Sequence, residues 1–272
     1  MLRRFKLLLA ILLLVFVIYN VYNFFNIVIN KKVFKSPKVP EEFDGFRIIQ
    51  ISDFHNKKFH RKEFFVKTVI TERPDVVFLT GDFVDSRKPD FKYALHIIEE
   101  LIPVTKIYYV LGNHEGRVKG IEKFLDDCKK LGVTVLRQES FLLRKGDSFI
   151  NIVGVDDPSI TTIWTIRDVL KEKKLDGHLN ILLSHRPEIF DEYVNAGYDI
   201  IFTGHTHGGQ VRIPFLGALF VPNQGVLPAY DKGAFKKKDS MMIVSSGIGT
   251  SVVPIRIFNK PELVLVELKY EK

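Results

Sequence analysis

His205 and His207 stand one residue apart, directly after the apolar run Ile200-Ile201-Phe202 and among Gly204, Gly208 and Gly209. Imidazoles at that spacing, on a backbone that glycines allow to turn, can address two cations lying side by side. Four other segments share the layout. Residues 48–51 lead to Ser52-Asp53-Phe54-His55, and residues 76–79 to Thr80-Gly81-Asp82. Residues 107–111 lead to Gly112-Asn113-His114-Glu115, and residues 181–183 to Ser184-His185. Each group has an ordinary explanation by itself. A single Asp or Gly-Asn after a strand is a turn residue, and a single His is a core or surface residue. His60, His96 and His178 are left in that category. Five strand ends carrying two Asp, one Asn and five His are harder to explain separately. Together they offer the mixed carboxylate and imidazole donors that suit Mn²⁺, Fe²⁺ or Zn²⁺.

The elements that must position these groups follow from periodicity. Short apolar runs over 47–51, 75–79 and 106–111 read as strands, separated by helical patterns over 61–71, 90–101 and 120–131. Strands are then expected over 133–136, 141–143 and 149–155, a helix over 165–173, a strand over 178–183, a helix over 187–196 and a strand over 198–202. After Gly208 the pattern is mostly β, including 241–244 and 263–268. Alternating β and α elements predict an α/β fold with buried sheets. In such sheets sites form outside the carboxyl ends of the strands, where all five ligand-bearing segments fall.

The 272 residues have a net charge of +8, but residues 1–32 hold five basic residues and no acid. Without them 35 basic face 32 acidic residues, so the charge does not argue for a nucleic-acid surface. Residues 7–29 are uncharged and mostly apolar, interrupted by Asn20, Asn23 and Asn26. About 20 apolar residues cross a bilayer as a helix. Arg3, Arg4 and Lys6 precede them and no small-residue cleavage site follows, so residues 1–32 are expected to be an uncleaved membrane anchor, with a cleaved leader as the alternative. Charge counting does not fix orientation, because Lys31, Lys32, Lys35 and Lys38 balance the first group. The domain is expected on the extracytoplasmic face. Residues 33–45 read as a linker and residues 46–272 as one catalytic domain. Lys31, Lys32, Lys35 and Lys38 could meet anionic headgroups or simply flank the anchor. Lys236-Lys237-Lys238 reads as solvated loop charge, Trp164 with Ile160 and Ile163 as core, and the one cysteine, Cys128, as a buried thiol.

The ordered motifs Asp53-x-His55, Gly81-Asp82, Gly112-Asn113-His114-Glu115, His185 and Gly204-His205-x-His207 resemble those of the calcineurin-like metallophosphoesterases. The segments 247–251 and 254–256 resemble its bacterial membrane-associated branch, some members of which are UDP-2,3-diacylglucosamine pyrophosphatase-like. The resemblance implies a four-layer α/β/β/α sandwich and a dinuclear metal centre, with Mn²⁺ favoured. It implies that Asp53, His55 and His207 hold one cation, that Asn113, His185 and His205 hold the other, and that Asp82 bridges them. His114 would face the phosphate and assist the leaving oxygen, and Glu115 would either orient His114 or serve structure.

Two cations about 3.5–4 Å apart activate water and neutralise the oxygens of a phosphate ester. The expected activity is hydrolysis of a phosphodiester or pyrophosphate, on a phosphorylated small molecule or a lipid-linked substrate such as a UDP-diacylglucosamine. A nuclease or cyclic-nucleotide phosphodiesterase is the alternative enzyme, although no aromatic-basic stripe for nucleic acid is present. A non-catalytic metal-dependent scaffold would have no use for His114.

Overall fold

The computed structural model describes residues 2–58, 62–250 and 255–272. Helix α1 (Leu2–Phe25) is followed by β1 (Val28–Ser36). Then come β2 (Arg47–Ile51), α2 (Lys62–Thr71), β3 (Val76–Thr80), α3 (Phe91–Leu101), β4 (Lys106–Val110), α4 (Ile121–Lys130) and β5 (Thr134–Val135). A hairpin of β6 (Glu139–Lys145) and β7 (Ser148–Gly154) leads to α5 (Ile163–Lys173), β8 (Asn180–Leu183), α6 (Phe190–Ala196) and β9 (Ile200–Thr203). Two short hairpins follow, β10 (Arg212–Ile213) with β11 (Gly217–Ala218) and β12 (Phe220–Val221) with β13 (Gly225–Val226). The chain closes with β14 (Gly233–Lys237), β15 (Ser240–Val244) and β16 (Glu262–Tyr270).

Two six-stranded sheets result, in the orders β1-β16-β2-β3-β4-β5 and β14-β15-β9-β8-β7-β6. Strands β2 to β5 are parallel, as are β7, β8, β9 and β15. Parallel strands with both faces covered read as unbroken apolar runs. Alternate side chains show where each face goes. Ile49, Ile51, Val77 and Leu79 pack outward on Phe65, Ile97, Ile98 and Phe124 of α2 to α4. Ile48, Phe78 and Tyr108 face inward against Ile181, Phe202 and Ile243 of the second sheet. Leu182, Ile201 and Met242 face outward again, under Ile166 and Leu170 of α5 and Phe190 and Tyr193 of α6. The result is the expected four-layer α/β/β/α sandwich. Each fully buried Ile or Phe in it contributes about 1.5–3 kcal/mol. A polar hook ties the sheets together: Gln50 donates from one amide nitrogen to Thr80 Oγ1 and to the Thr203 carbonyl, both at 2.8 Å. It fixes β2 and β3 relative to β9, the strands whose ends carry the ligand types.

Four expectations are corrected. Residues 33–45 are not an unstructured linker: β1 pairs in parallel with β16 over nine positions, and Phe34, Val39 and Phe43 are buried. An edge strand that carries lysines has no clean apolar alternation, because charge on an edge serves to prevent further pairing. Lys31, Lys35 and Lys38 pair with Glu72, Glu271 and Asp199. The apolar stretch over 7–29 divides, with the helix ending at Phe25 and Val28-Ile29 starting β1. Lys236 and Lys237 belong to the edge strand β14, not a loop. Trp164 is 68% exposed, with the Arg167 guanidinium 4.8 Å from its ring, so it is not core. Cys128 is buried and free, as expected.

Candidate metal centre

The carboxyl ends of β2, β3 and β4 in one sheet meet those of β8 and β9 in the other. Asp53, His55, Asp82, Asn113, His114, His185, His205 and His207 all lie in the loops just past them, and all are buried. In Asp53-Phe54-His55 the middle residue is the anchor: Phe54 stacks on Phe83 at 4.6 Å, which leaves its neighbours facing the site. In His205-Thr206-His207 the same part falls to Thr206, whose hydroxyl donates to the Asp231 carbonyl and accepts from Gly208 N. Asp53, His55, Asp82, His205 and His207 all have positive φ, between 47° and 67°. Each such non-glycine conformation costs about 1–3 kcal/mol, and a cluster of them marks a site held by its surroundings. Gly204 must be glycine because a Cβ there would collide with Ser52 and Asp53.

Asp82 Oδ2 is the centre of the arrangement. It lies 3.3 Å from His185 Nε2, 3.7 Å from His55 Nε2 and 4.0 Å from His114 Nε2. His55 Nε2 is 3.2 Å from His207 Nε2, which is 3.3 Å from Asp53 Oδ1. The candidate ligand atoms of Asp53, His55 and His207 all lie within 4.8 Å of one another, and so do those of Asp82, His185 and His205. These donors fit a pair of cations. Asn113 Oδ1 is buried without a hydrogen-bond partner, a costly state unless something else meets it. The His185 ring faces the Thr80 carbonyl through Nδ1 at 2.8 Å, which leaves Nε2 as the inward atom. Burial first, then like charge, holds the His55 ring down to about 4 and His207 well below its ordinary value, so both present lone pairs. His205 differs. Its Nε2 meets Arg186 Nη1 at 2.8 Å and Asn223 Nδ2 at 3.1 Å, and a cation on that nitrogen would displace them.

His114 sits near the same oxygen but is wired differently. Its Nδ1 accepts the Ser86 backbone N–H at 3.0 Å, so in the neutral ring the proton is on Nε2, facing the centre. Burial lowers its pKa, with Asp82 and Asp85 acting in the opposite direction. A ring nitrogen that carries a proton donates hydrogen bonds and does not ligate metal.

Glu115 does not touch the His114 ring. Its carboxylate accepts backbone N–H bonds from Asp82, Phe83, Val84 and Gly112 at 2.7–3.1 Å, and the Tyr109 hydroxyl at 2.7 Å. It locks the Asp82 loop to the Gly112 loop. Burial and the Asp82 charge push it up to about 7, so the clamp is tested above that pH. Glu115→Gln turns an amide N–H₂ toward groups that are themselves donors. At about pH 8 the expected loss is about 3 kcal/mol, since hydrogen bonds to charged groups contribute about 1.5–3 kcal/mol each. That corresponds to a fall of about 6–12 °C in Tm by calorimetry. An unchanged Tm would remove the clamp.

Several groups at the site escaped the sequence reading. Asp85 lies 3.5 Å from His114 Nδ1. Asp157 grips the buried Arg186 through Nε and, at 3.1 Å, through Nη2. The strand-end rule could have found it, because Asp156-Asp157 follows β7 just as the candidate ligands follow their strands. Asn223 comes from a distant hairpin and left no signal. His60, Ser251 and Pro254 lie outside the described residues.

Comparison with known proteins gives the family. The sequence pattern of the family described as Calcineurin-like phosphoesterase matches residues 46–209. The chain belongs to that family, and is therefore a hydrolase of phosphoester bonds whose family uses a dinuclear divalent metal centre. An uncharacterized metallophosphoesterase of Aquifex aeolicus (strain VF5) is 30% identical over 252 residues, which cover 89% of this chain and 91% of that one. The uncharacterized metallophosphoesterase YkuE of Bacillus subtilis (strain 168) is 29% identical over 86% of this chain and 83% of its own. Phosphodiesterase YaeI of Escherichia coli (strain K12) is 24% identical over 82% of each chain.

Proposed function

We propose that this protein is a membrane-anchored phosphohydrolase that cleaves a phosphodiester or pyrophosphate at a two-metal centre, on a lipid-linked or nucleotide-sugar substrate of the UDP-diacylglucosamine kind. The observation that carries this reading is Asp82 Oδ2, ringed by three imidazoles, among them His114, whose Nδ1 is taken by the Ser86 N–H. Asp53, His55 and His207 would hold one cation, Asn113, His185 and His205 the other, and Asp82 would serve both. Mn²⁺ suits the mixed oxygen and nitrogen donors best, with Fe²⁺ or Zn²⁺ as substitutes. When bound, the cations supply an activated water and neutralise the phosphoryl oxygens. His114 donates Nε2–H to an oxygen of the reacting phosphate. In its neutral form it acts as a hydrogen-bond donor and not as a source of protons. The name of YaeI supports the diester. Helix α1 supports the anchor: its 24 residues span about 36 Å, against a hydrocarbon core of about 30 Å.

The test is turnover of a chromogenic phosphodiester with added Mn²⁺, followed by a panel of nucleotide sugars, lipid phosphates and oligonucleotides. Turnover confined to oligonucleotides would replace this reading with a nuclease.

Metal uptake has a proton signature. Burial opposes charge on His185, but the Asp82 carboxylate outweighs it and lifts the ring to about 10. A raised pKa of this kind contributes stability that is complete below the unfolded value of about 6.5 and is lost as pH rises through the folded value. At about pH 7.5 the metal-free ring keeps its proton, and a cation on Nε2 must expel it. Titrating metal-free protein with Mn²⁺ in buffers of different ionisation enthalpy should reveal about one proton released per centre filled. Heats independent of buffer would remove His185 from the ligand set.

A further inference from the structure

The two hairpins β10–β11 and β12–β13 leave the chain directly after His207 and carry large apolar side chains into solvent. Phe215 is fully exposed, and Leu216, Phe220, Val226 and Leu227 are each more than half exposed. Large apolar side chains exposed together on one pair of hairpins mark an interaction site. The same hairpins touch the centre, because Asn223 in the β12–β13 turn donates to His205 Nε2 at 3.1 Å. They are also joined to the apolar helix. Val211, at the base of the first hairpin, bridges to Ile257, and Arg212 N donates to the Ile257 carbonyl at 3.0 Å. The next residue, Phe258, packs on α1: its ring lies 5.7 Å from Phe16 and 6.0 Å from Tyr19, and its backbone N–H reaches Asn20 Oδ1 at 3.2 Å.

Phe16 is nine residues, or about 14 Å, from the end of α1 at Phe25. If α1 crosses a bilayer, Phe258 cannot stand clear of it, and the base of the first hairpin, at Val211 and Arg212, is held beside it. Only Asn26 and Ile27 separate α1 from β1, which begins at Val28 and is stitched to β16. Lys57 Nζ sits 3.7 Å over the Phe24 ring, a cation at the level of the last helical turn, where lipid phosphates lie.

We propose that the hairpin pair β10–β13 docks on the membrane leaflet that α1 enters, so that the mouth of the metal centre opens at the lipid headgroups. This rests on the reading of α1 as a membrane span. It also deepens the functional reading by naming the substrate class as a phosphoester of a membrane lipid, presented at the surface of the bilayer. Phe215 and Leu216 would sit about 5–10 Å into the headgroup and acyl boundary.

The test uses the full chain in nanodiscs of phosphatidylcholine and phosphatidylglycerol. In a Trp164→Phe background, one variant carries Phe215→Trp. Another carries Asp147→Trp, in the exposed β6–β7 turn at the opposite end of the strands. Brominated acyl chains should reduce the emission of the first by about half, with a blue shift, as for an indole at that depth. The emission of the second should not change. Equal, weak quenching at both positions overturns the proposal. So does a nanodisc holding two chains cross-linked through position 215, which would give the surface to a second copy. A second arm measures rates for Phe215→Ser with Leu216→Ser. Turnover of the soluble diester should be unchanged, while turnover of a lipid phosphodiester in vesicles should fall about tenfold, or about 1.4 kcal/mol. An equal fall on both substrates overturns it. Quenching does not depend on turnover, so failure of docking and failure of the proposed activity are read separately.

Discussion

Asp82→Asn is expected to lose bound metal and activity together. The substitution keeps the shape of the side chain and removes its charge. Oδ2 is the oxygen nearest His185, His55 and His114, and Oδ1 accepts the His114 backbone N–H at 2.8 Å. One half of the carboxylate therefore orders the His114 loop while the other faces the candidate metal donors. An amide can replace the first part if its oxygen takes the Oδ1 place. It cannot replace the second, because a neutral NH₂ presents hydrogens where a shared anionic oxygen is needed. Transition-state charge stabilisation by metal amounts to several kcal/mol, so the expected loss of kcat/KM is about 10³-fold or more. Elemental analysis of the purified variant should find less than the full pair of ions. Two retained ions with normal turnover would end the assignment of Asp82 as the shared ligand. His185 provides a second readout. Without the Asp82 charge its ring should titrate well below about 10 in metal-free protein, since the largest raising group is gone and only the Asp53 and Asp157 charges still oppose burial. NMR of the ring protons would measure this independently of activity.

His114→Ala should behave differently, with metal content unchanged and kcat lower by about 10²–10³-fold, the usual effect of removing one donor to a developing oxyanion. His114→Asn, which keeps an N–H in reach, should recover part of the loss. Metal loss in the alanine variant would move His114 into the ligand set, despite the Ser86 N–H on its Nδ1. The pH dependence distinguishes donor from acid. Burial holds the ring below its ordinary value, so it is neutral from about pH 6.5 upward. A neutral donor leaves kcat flat between about pH 6.5 and 8 on account of this residue, whereas an imidazolium acid would give a rate falling with pH over that range.

Where the sequence could be read, one physical rule was at work. A strand buried on both faces is an unbroken apolar run, and a polar residue at its carboxyl end stands out against it. Asp53, Asp82, Asn113, His185 and His205 were all visible in this way, and the strands that carry them lie close to their expected positions. The groups missed were those without that contrast. Strand β1 has three lysines and a serine among its nine residues and lies on an edge, so nothing in its pattern distinguishes it from a tether. Asn223 reaches His205 from a hairpin whose strands are two residues long, too short for any period. Glu115 was visible, but its role was not. Only the converging N–H groups of two loops show that it braces the backbone and leaves the His114 ring to Ser86 and Asp85.

The parallel pairing of β1 with β16 has a consequence for handling the protein. A chain begun at Phe46 removes more than the apolar helix. It strips the outermost strand from the first sheet and bares the nine-residue backbone edge of β16, from Glu262 to Tyr270. Unpaired edges of that length recruit strands from neighbouring chains. Such a fragment should precipitate or form ladders of edge-joined copies. One begun at Asn26 keeps the cover and should stay dispersed.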